Sequence, residues 1–364
     1  MVRWNALRRH FSVRAPAARL LTTASTEPWF NLALEQWIFE ESDPEKQTLF
    51  LWQNAPTVVI GRHQNPWLEM DVAAMEAGDV YLARRHSGGG AVYQDLGNLN
   101  FTFLSPRTDY DVSRNNGIIT RALKDAYGLE TEATGRNDIV MSSDGAKFSG
   151  AAFRLEADRA FHHGTLMMHV EMSRLGKLLT PNKLKLQAKG VKSVAARVTN
   201  LRDRCPEVEV EGLKDALSRS FLRAYGEQGG DASQMQVLTP GEGILADRAK
   251  FDEFYAKLRD WDFRFGRTSA FTHDFETRFD WGLFKVHLDV QQGRIVDCQI
   301  FSDCLSVNLV NRVTEALCGT EGDRVRYTSD DLRVALAQAR HVLAGEGEQL
   351  PTAFDDWLLA CIRE

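Results

Sequence analysis

The chain has 364 residues, 43% of them hydrophobic and 26% charged, with a net charge of −6. That composition belongs to a globular protein of about two or three domains, and its acidic balance supplies no global basic field for nucleic acid. The cysteines are Cys205, Cys298, Cys304, Cys318 and Cys361, none in a C-x-x-C pair. Neither a disulfide framework nor a zinc site is indicated, and no apolar run approaches the ~20 residues that span a bilayer.

The N-terminus carries Arg3, Arg8, Arg9, Arg14 and Arg19, and its first acid is Glu27. Trp4, Leu7, Phe11 and Val13 fall on one helical face. The segment reads as a mitochondrial transit peptide, with a disordered basic tail as the alternative. Residues 1–22 are therefore left outside the expected fold. Pro28 suits a first helical turn, and apolar spacings of three and four predict a helix to Phe39. Leu49-Phe50-Leu51-Trp52 and Thr57-Val58-Val59-Ile60 read as buried strands. Asp71 to Ala77 reads as a helix stopped by Gly78, and Val80-Tyr81-Leu82-Ala83 as a strand.

Beyond that strand lies Arg84-Arg85-His86-Ser87-Gly88-Gly89-Gly90-Ala91-Val92-Tyr93. Consecutive glycines let backbone N–H groups approach a ligand closely, and arginines add forked positive charge. The segment is either an anion cradle or a plain Gly turn. Leu99 to Leu104 alternates as a half-exposed strand does, and Ile118 to Tyr127 reads as a helix ended by Gly128. Strands follow around Asp138 to Met141, Ala146 to Leu155 and Thr165 to Val170. Short connections predict a largely antiparallel sheet.

Residues 201–258 look mostly helical, with a linker from Glu227 to Gly243. Trp261 to Phe265 restarts a strand pattern, and Gln291-Gln292-Gly293 marks a hairpin before closing helices. The fold class is thus α+β. A catalytic domain at residues 23–255 holds a mostly antiparallel or mixed sheet flanked by helices, and a small α+β domain occupies 260–364.

The chain has no Walker A loop, G-x-G-x-x-G, H-E-x-x-H or G-x-S-x-G. Chemistry falls instead to charged and glycine positions. Lys147 is a lone cation in an apolar strand: either an exposed edge lysine or an ammonium facing a ligand. Gly150 permits close backbone approach. His162 and His163 point to opposite faces of a strand, so they do not share a metal, and a structural role is favoured with one lining the site. Gly61 to Trp67 is a polar turn at a pocket rim. Lys183, Lys185, Lys189 and Lys192 form a basic stretch, either solvated or closing over phosphates.

Together these motifs resemble the lipoate–protein ligases. Pro28 to Ala33, Val58 to Arg62 and Gln64 to Trp67 resemble the family's early segments, and Arg84 to Asp95 its glycine loop. Gly135 to Asp138, Lys147 to Arg154, Phe161 to Leu166, Lys189-Gly190 and Arg197 to Asn200 continue the match in order. It reaches Trp261 to Gly266 and Phe279 to Gly282. His86, Gln94 and Phe148 depart from the pattern without removing a charge.

The resemblance implies a large domain like that of biotin protein ligases plus an accessory domain. It also implies a two-step reaction: lipoate and MgATP give lipoyl-AMP, and a carrier lysine then displaces AMP. Arg85, Gly90, Ala91, Val92, Tyr93 and Lys147 would bind ATP. Lys147, Gly88, Gly89 and His163 would bind lipoate, with Asn137, Gly150 and Asn65 as further candidates. Lys147 and Asp138 are the catalytic candidates, Asp138 holding Mg2+ or orienting the incoming lysine. Trp52, Val92 and Phe148 are candidates for the slot of the dithiolane tail. The expected partners are lipoate and the apo lipoyl domains of E2 subunits and H protein, met by a monomer in the mitochondrial matrix. The closest rival is a lipoyltransferase that uses preformed lipoyl-AMP or a lipoylated donor protein.

Overall fold

The structure is a computed structural model. It describes residues 18–41, 43–64, 66–70, 74–75, 78–135, 137–179, 198–225, 235–242, 246–265, 273–291, 293–320 and 322–361. The basic stretch at 183–192, Asn65, Arg136 and most of the helix expected at 71–77 fall outside the described residues.

Strand β1 (Arg19–Thr22) runs parallel to β2 (Thr48–Trp52), and Leu21 is fully buried. Leaving residues up to 22 out of the fold is thereby corrected: the arginine-rich composition masked an apolar pair, Leu20-Leu21, that forms sheet. Helix α1 (Pro28–Glu41) is buried on nearly every side, because it lies beneath the sheet. β3 (Thr57–Ile60), the short α2 (Pro66–Glu69), β4 (Tyr81–Arg84) and β5 (Val92–Gln94) follow. β3 pairs parallel with β4 and antiparallel with β5, forming a separate three-stranded sheet.

β6 (Asn98–Pro106) is buried along almost its whole length, not half-exposed as its alternation predicts. The alternation is genuine, but both faces are covered. Leu99, Phe101 and Phe103 enter the main core, each such side chain contributing about 2 kcal/mol. Asn98, Asn100 and Thr102 turn to an internal polar wall. Helix α3 (Val112–Tyr127) begins a turn and a half before the expected start, where Asp111 caps it by accepting from the N–H of Arg114. β7 (Thr131–Thr134), β8 (Asp138–Met141), β9 (Lys147–Leu155) and β10 (Arg159–Met167) complete the run. β10 starts and ends earlier than the expected strand at 165–170, in register with β6 and β9.

Helix α4 (Met172–Leu178), helix α5 (Val210–Ala224), strand β11 (Gln236–Val237) and helix α6 (Arg248–Arg259) follow. The large sheet has the order β11-β1-β2-β6-β10-β9-β8-β7. β1 is parallel to both neighbours, and the other pairings are antiparallel, so the sheet is mixed. α3 and α5 share the core on one face, while α1 and α6 lie in the apolar cluster on the other.

Trp261–Phe265 is a short helix, α7, not a strand. Asp260 Oδ1 accepts from the N–H of Phe263 at 2.9 Å and starts the turn. The Phe263 and Arg264 carbonyls both accept from Arg84 at 2.7 Å, which fixes the helix against β4. The smaller domain pairs β12 (His273–Phe279), β13 (Gly282–Gln291) and β14 (Arg294–Ser302) antiparallel. Helices α8 (Val307–Cys318), α9 (Ser329–Gly345) and α10 (Thr352–Cys361) cover that sheet around their own core.

Candidate active site

The glycine loop is built on close backbone contacts. A Cβ on Gly61 would lie 2.2 Å from the carbonyl oxygen of Gly89, so the turn after β3 and the loop after β4 touch through backbone alone. Gly89 has φ of +92°, a conformation that favours glycine. Arg85 sits inside the loop, 6% exposed. It donates to the carbonyls of Val59 (3.1 Å), Gly88 (2.7 Å) and Gly90 (2.8 Å) and to Ser87 Oγ (3.0 Å). Burial pulls its pKa down to about 10, with Glu35 opposing, so it remains charged at neutral pH.

The smaller domain docks on this loop. Gly89 N–H donates to the Cys304 carbonyl at 2.9 Å, and a Cβ on Gly88 would lie 2.2 Å from that same oxygen. Gly88 therefore faces the smaller domain and is not on the cavity wall. Tyr93 is also off the wall, buried in a cluster with Val58, Ile60 and Met70. Phe148 is fully buried in the main core, away from the slot assigned to it.

A cavity of about 160 Å³ opens between the loop and strands β9 and β10. Leu32, Trp52, Val59 and Val92 form its apolar wall. Gly89, Gly90 and Ala91 edge it, with Arg85 behind them. Asn137, Lys147, Gly150 and His163 line it as well, so most of the residues expected at the site converge. Lys147, at the start of β9, is half-exposed, with Nζ 2.7 Å from Asp138 Oδ1 on the adjacent strand. A Cβ on Gly150 would meet that Nζ at 3.2 Å, so glycine leaves the ammonium room. The Asn137 side-chain amide donates to the Ala151 carbonyl at 2.9 Å, tying the turn before β8 to β9.

His163 is held at both ring nitrogens. Nδ1 is 2.8 Å from Glu35 Oε1, and Nε2 is 2.7 Å from Ser87 Oγ. Thr102 Oγ1 donates to Glu35 at 2.6 Å and accepts from Trp52 Nε1 at 3.1 Å. Asn54 donates to Gln94 Oε1 at 2.8 Å, extending the buried polar wall beside Asn100. Sequence reasoning missed Glu35, Asn100 and Thr165. Their signals were a carboxylate inside an apolar helix and polar residues alternating along a buried strand. His162 points to the opposite face, between Phe101 and Phe103.

A pocket with an apolar wall, an ammonium at its rim and a glycine backbone edge suits a short acyl chain that ends in an anion. Among the described residues no cluster of three or more His, Cys, Asp and Glu could hold a metal ion. Among the described residues Asp138 is the carboxylate paired with Lys147, and a single carboxylate suits Mg2+ only in the mode where substrate phosphates supply further ligands.

The fold and site define a two-domain α+β protein with an acyl-sized pocket beneath a glycine loop. The chain belongs to the lipoyl protein ligase family: residues 27–222 match the lipoyl protein ligase A/B catalytic domain, and residues 268–358 match the bacterial lipoate protein ligase C-terminus. It is 49% identical over 320 residues to the lipoate-protein ligase A of Psychrobacter cryohalolentis, covering 87% of this chain and 93% of that protein. The crystal structure of P. falciparum LipL1 in complex with lipoate aligns with a TM-score of 0.80 at 28% identity, over 96% of this chain and 100% of that one. A lipoate-protein ligase A bound with ATP aligns with a TM-score of 0.56 at 25% identity, over 69% and 98%. The bipartite ligase from Thermoplasma acidophilum, solved in work that includes its E2 lipoyl domain, aligns with a TM-score of 0.56 at 26% identity, over 71% and 99%.

Proposed function

We propose that this chain activates lipoate with ATP to lipoyl-AMP and transfers the lipoyl group to a lysine of carrier domains. In the first step a carboxylate oxygen of lipoate attacks the α-phosphorus and the bond to pyrophosphate breaks. In the second the carrier amine attacks the acyl carbon, loses a proton, and AMP leaves with the electron pair of the C–O bond. The observation that carries this reading is that Lys147 lines the same cavity as the Gly89–Gly90 edge and an apolar wall.

Lys147 serves better as a fixed charge than as a nucleophile. It draws together two anions, the carboxylate and the phosphate, and offsets charge as it develops, an effect of about 2.7–4 kcal/mol per well-placed donor. Gly90, Ala91 and Val92 would meet the nucleotide, and Arg85 holds the Gly90 carbonyl. Mg2+ would enter on the nucleotide's phosphates and neutralise their charge, with Asp138 as the protein carboxylate that holds it. Leu32, Trp52, Val59 and Val92 would hold the dithiolane tail, with His163 fixed beside it.

The proposed acceptors are lipoyl domains of E2 subunits and H protein, met by a monomer in the mitochondrial matrix. The test is mass spectrometry of an apo lipoyl domain incubated with the purified chain, ATP, Mg2+ and lipoate. Lipoylation of the carrier lysine with stoichiometric pyrophosphate is expected, and an unmodified domain overturns the proposal. Modification from supplied lipoyl-AMP but not from ATP and lipoate would establish the transferase instead. Residues 1–26 fused to a fluorescent protein test the location, and a cytosolic fusion rejects it.

A further inference from the structure

A second cavity, of about 340 Å³, lies where the two domains meet. The larger domain lines it with Arg62, His63, Gln64 and Arg84, and the smaller with Gln299 and Asn311. Beside it the N–H of Ser302 donates to the His63 carbonyl at 2.6 Å, so the seam is closed by backbone.

Among the described residues the cavity concentrates positive charge without a counter-charge. Arg84 is 5% exposed and spends its guanidinium on carbonyls, among them those of Arg62 (3.0 Å) and Gln64 (2.7 Å). Burial and the Arg62 charge pull its pKa down to about 9. The Arg62 guanidinium lies 5.0 Å from the Phe263 ring centroid, and burial and Arg154 pull its pKa down too. Among the described residues no carboxylate pairs with either arginine. Buried charges are ordinarily paired, because an uncompensated one is costly.

Single atoms of neutral groups at the same place also lack partners. Gln64 is 1% exposed; its Oε1 accepts from the Gly61 N–H at 2.8 Å, while its Nε2 is sealed from solvent without an acceptor. His63 Nε2 and Gln299 Oε1 are sealed and unpartnered as well. Burial, Arg62 and Arg84 hold the His63 pKa down to about 3, so it is neutral, although a hydrogen bond with the Val307 backbone pulls the other way.

We propose that this interdomain cavity binds a phosphate-type oxyanion, at a site separate from the acyl cavity. Guanidinium and amide donors match phosphoryl oxygens, and the anion supplies the charge that Arg62 and Arg84 lack. Gln299 Oε1 needs a donor, which a protonated phosphate oxygen provides. Groups from both domains converge, so occupancy stabilises their docking. The inference rests on this seam and does not depend on the acylation reading.

Calorimetric titration of the full chain with inorganic phosphate, pyrophosphate and AMP, at matched ionic strength against chloride, tests it. Saturable binding that depends on Arg62 is expected for at least one anion, and whichever shows the tightest Arg62-dependent binding identifies the source of the phosphoryl group. Arg62→Met should weaken that binding about tenfold to a hundredfold, and Gln299→Leu should weaken it as well. Lys147→Ala should remove only whatever anion binding belongs to the acyl cavity, and the Arg62-dependent component should persist in it. Absence of saturable binding, or saturable binding that survives both Arg62→Met and Gln299→Leu, overturns the proposal. Removing one uncompensated charge should leave Arg62→Met at least as heat-stable as the parent without phosphate; Gln299→Leu decides the question if that variant does not fold.

Discussion

Arg84 and Arg85 are adjacent in sequence, yet their guanidinium groups serve opposite sides of the glycine loop. Arg84 reaches carbonyls at the turn after β3 and in α7, beside the interdomain cavity. Arg85 turns into the loop and backs the acyl cavity. The alternation of an extended strand produces the divergence. One dipeptide thus ties the domain seam to the site, and the two positions should respond differently to substitution.

Arg85 holds its acceptors through a planar fork, which a lysine ammonium does not reproduce. Arg85→Lys is expected to leave buried carbonyls of Val59, Gly88 and Gly90 incompletely satisfied and to cost about 2 kcal/mol. Denaturant titration reads the loss directly. A variant with unchanged midpoint and slope would show that Arg85 does not organise the loop.

Two glycines of the site should separate fold from ligand. A Cβ on Gly61 would meet the Gly89 carbonyl at 2.2 Å, whereas a Cβ on Gly90 meets nothing within 4 Å. Gly61→Ala is expected to displace the loop and cost about 3 kcal/mol. Gly90→Ala should unfold within about 0.5 kcal/mol of the parent, while under the proposed reaction its methyl group should obstruct the nucleotide and raise the KM for ATP. Melting curves and initial rates on both variants check the pair, and equal stabilities would contradict the packing argument.

The sequence carried the elements whose periodicity was strong: α1, the strands on both sides of the glycine loop, and the hairpin of β13 and β14. It also carried the convergence of Arg85, Gly90, Asn137, Lys147 and His163. What it hid was tertiary. The polar residues of β6 mimic a solvent face, because Asn100 and Thr102 turn to an internal wall. Trp261 to Phe265 alternates like a strand, but Asp260 and Arg84 hold it as a helical turn. Gly88 looked like a ligand glycine, but its missing side chain makes room for the Cys304 carbonyl. Only the docking of the second domain reveals that.

His162 gives the protein an acid sensitivity that can be assigned. It is 2% exposed, and burial, then the neighbouring His163, hold its pKa down to about 3 from the ordinary 6.5. The unfolded chain therefore binds the extra proton first. Stability is intact above about pH 6.5 and falls as pH drops toward 3, by up to about 1.4 kcal/mol per pH unit from this residue. His162→Leu should flatten the dependence by about that slope. Unfolding free energies at several pH values between about 4.5 and 7 provide the comparison, and parallel curves would assign the sensitivity elsewhere.

Lys147 and Asp138 form a half-exposed ion pair at 2.7 Å, and that exposure makes a clean separation of stability from chemistry available. Pairs of this kind contribute at most about 1 kcal/mol, so Lys147→Ala should retain the parent's circular dichroism and nearly its melting temperature. Activity should respond on another scale. If the ammonium stabilises the charge that develops during adenylate formation, its removal lowers pyrophosphate release by about 100-fold to 1,000-fold. Lys147→Arg keeps the charge but replaces a compact ammonium with a wider planar fork. That variant should recover only part of the rate. Asp138→Asn frees the ammonium while removing the carboxylate proposed for Mg2+, so its defect should shrink as Mg2+ is raised, whereas that of Lys147→Ala should not. Normal turnover in Lys147→Ala would remove Lys147 from the chemistry and return it to the role of an edge lysine.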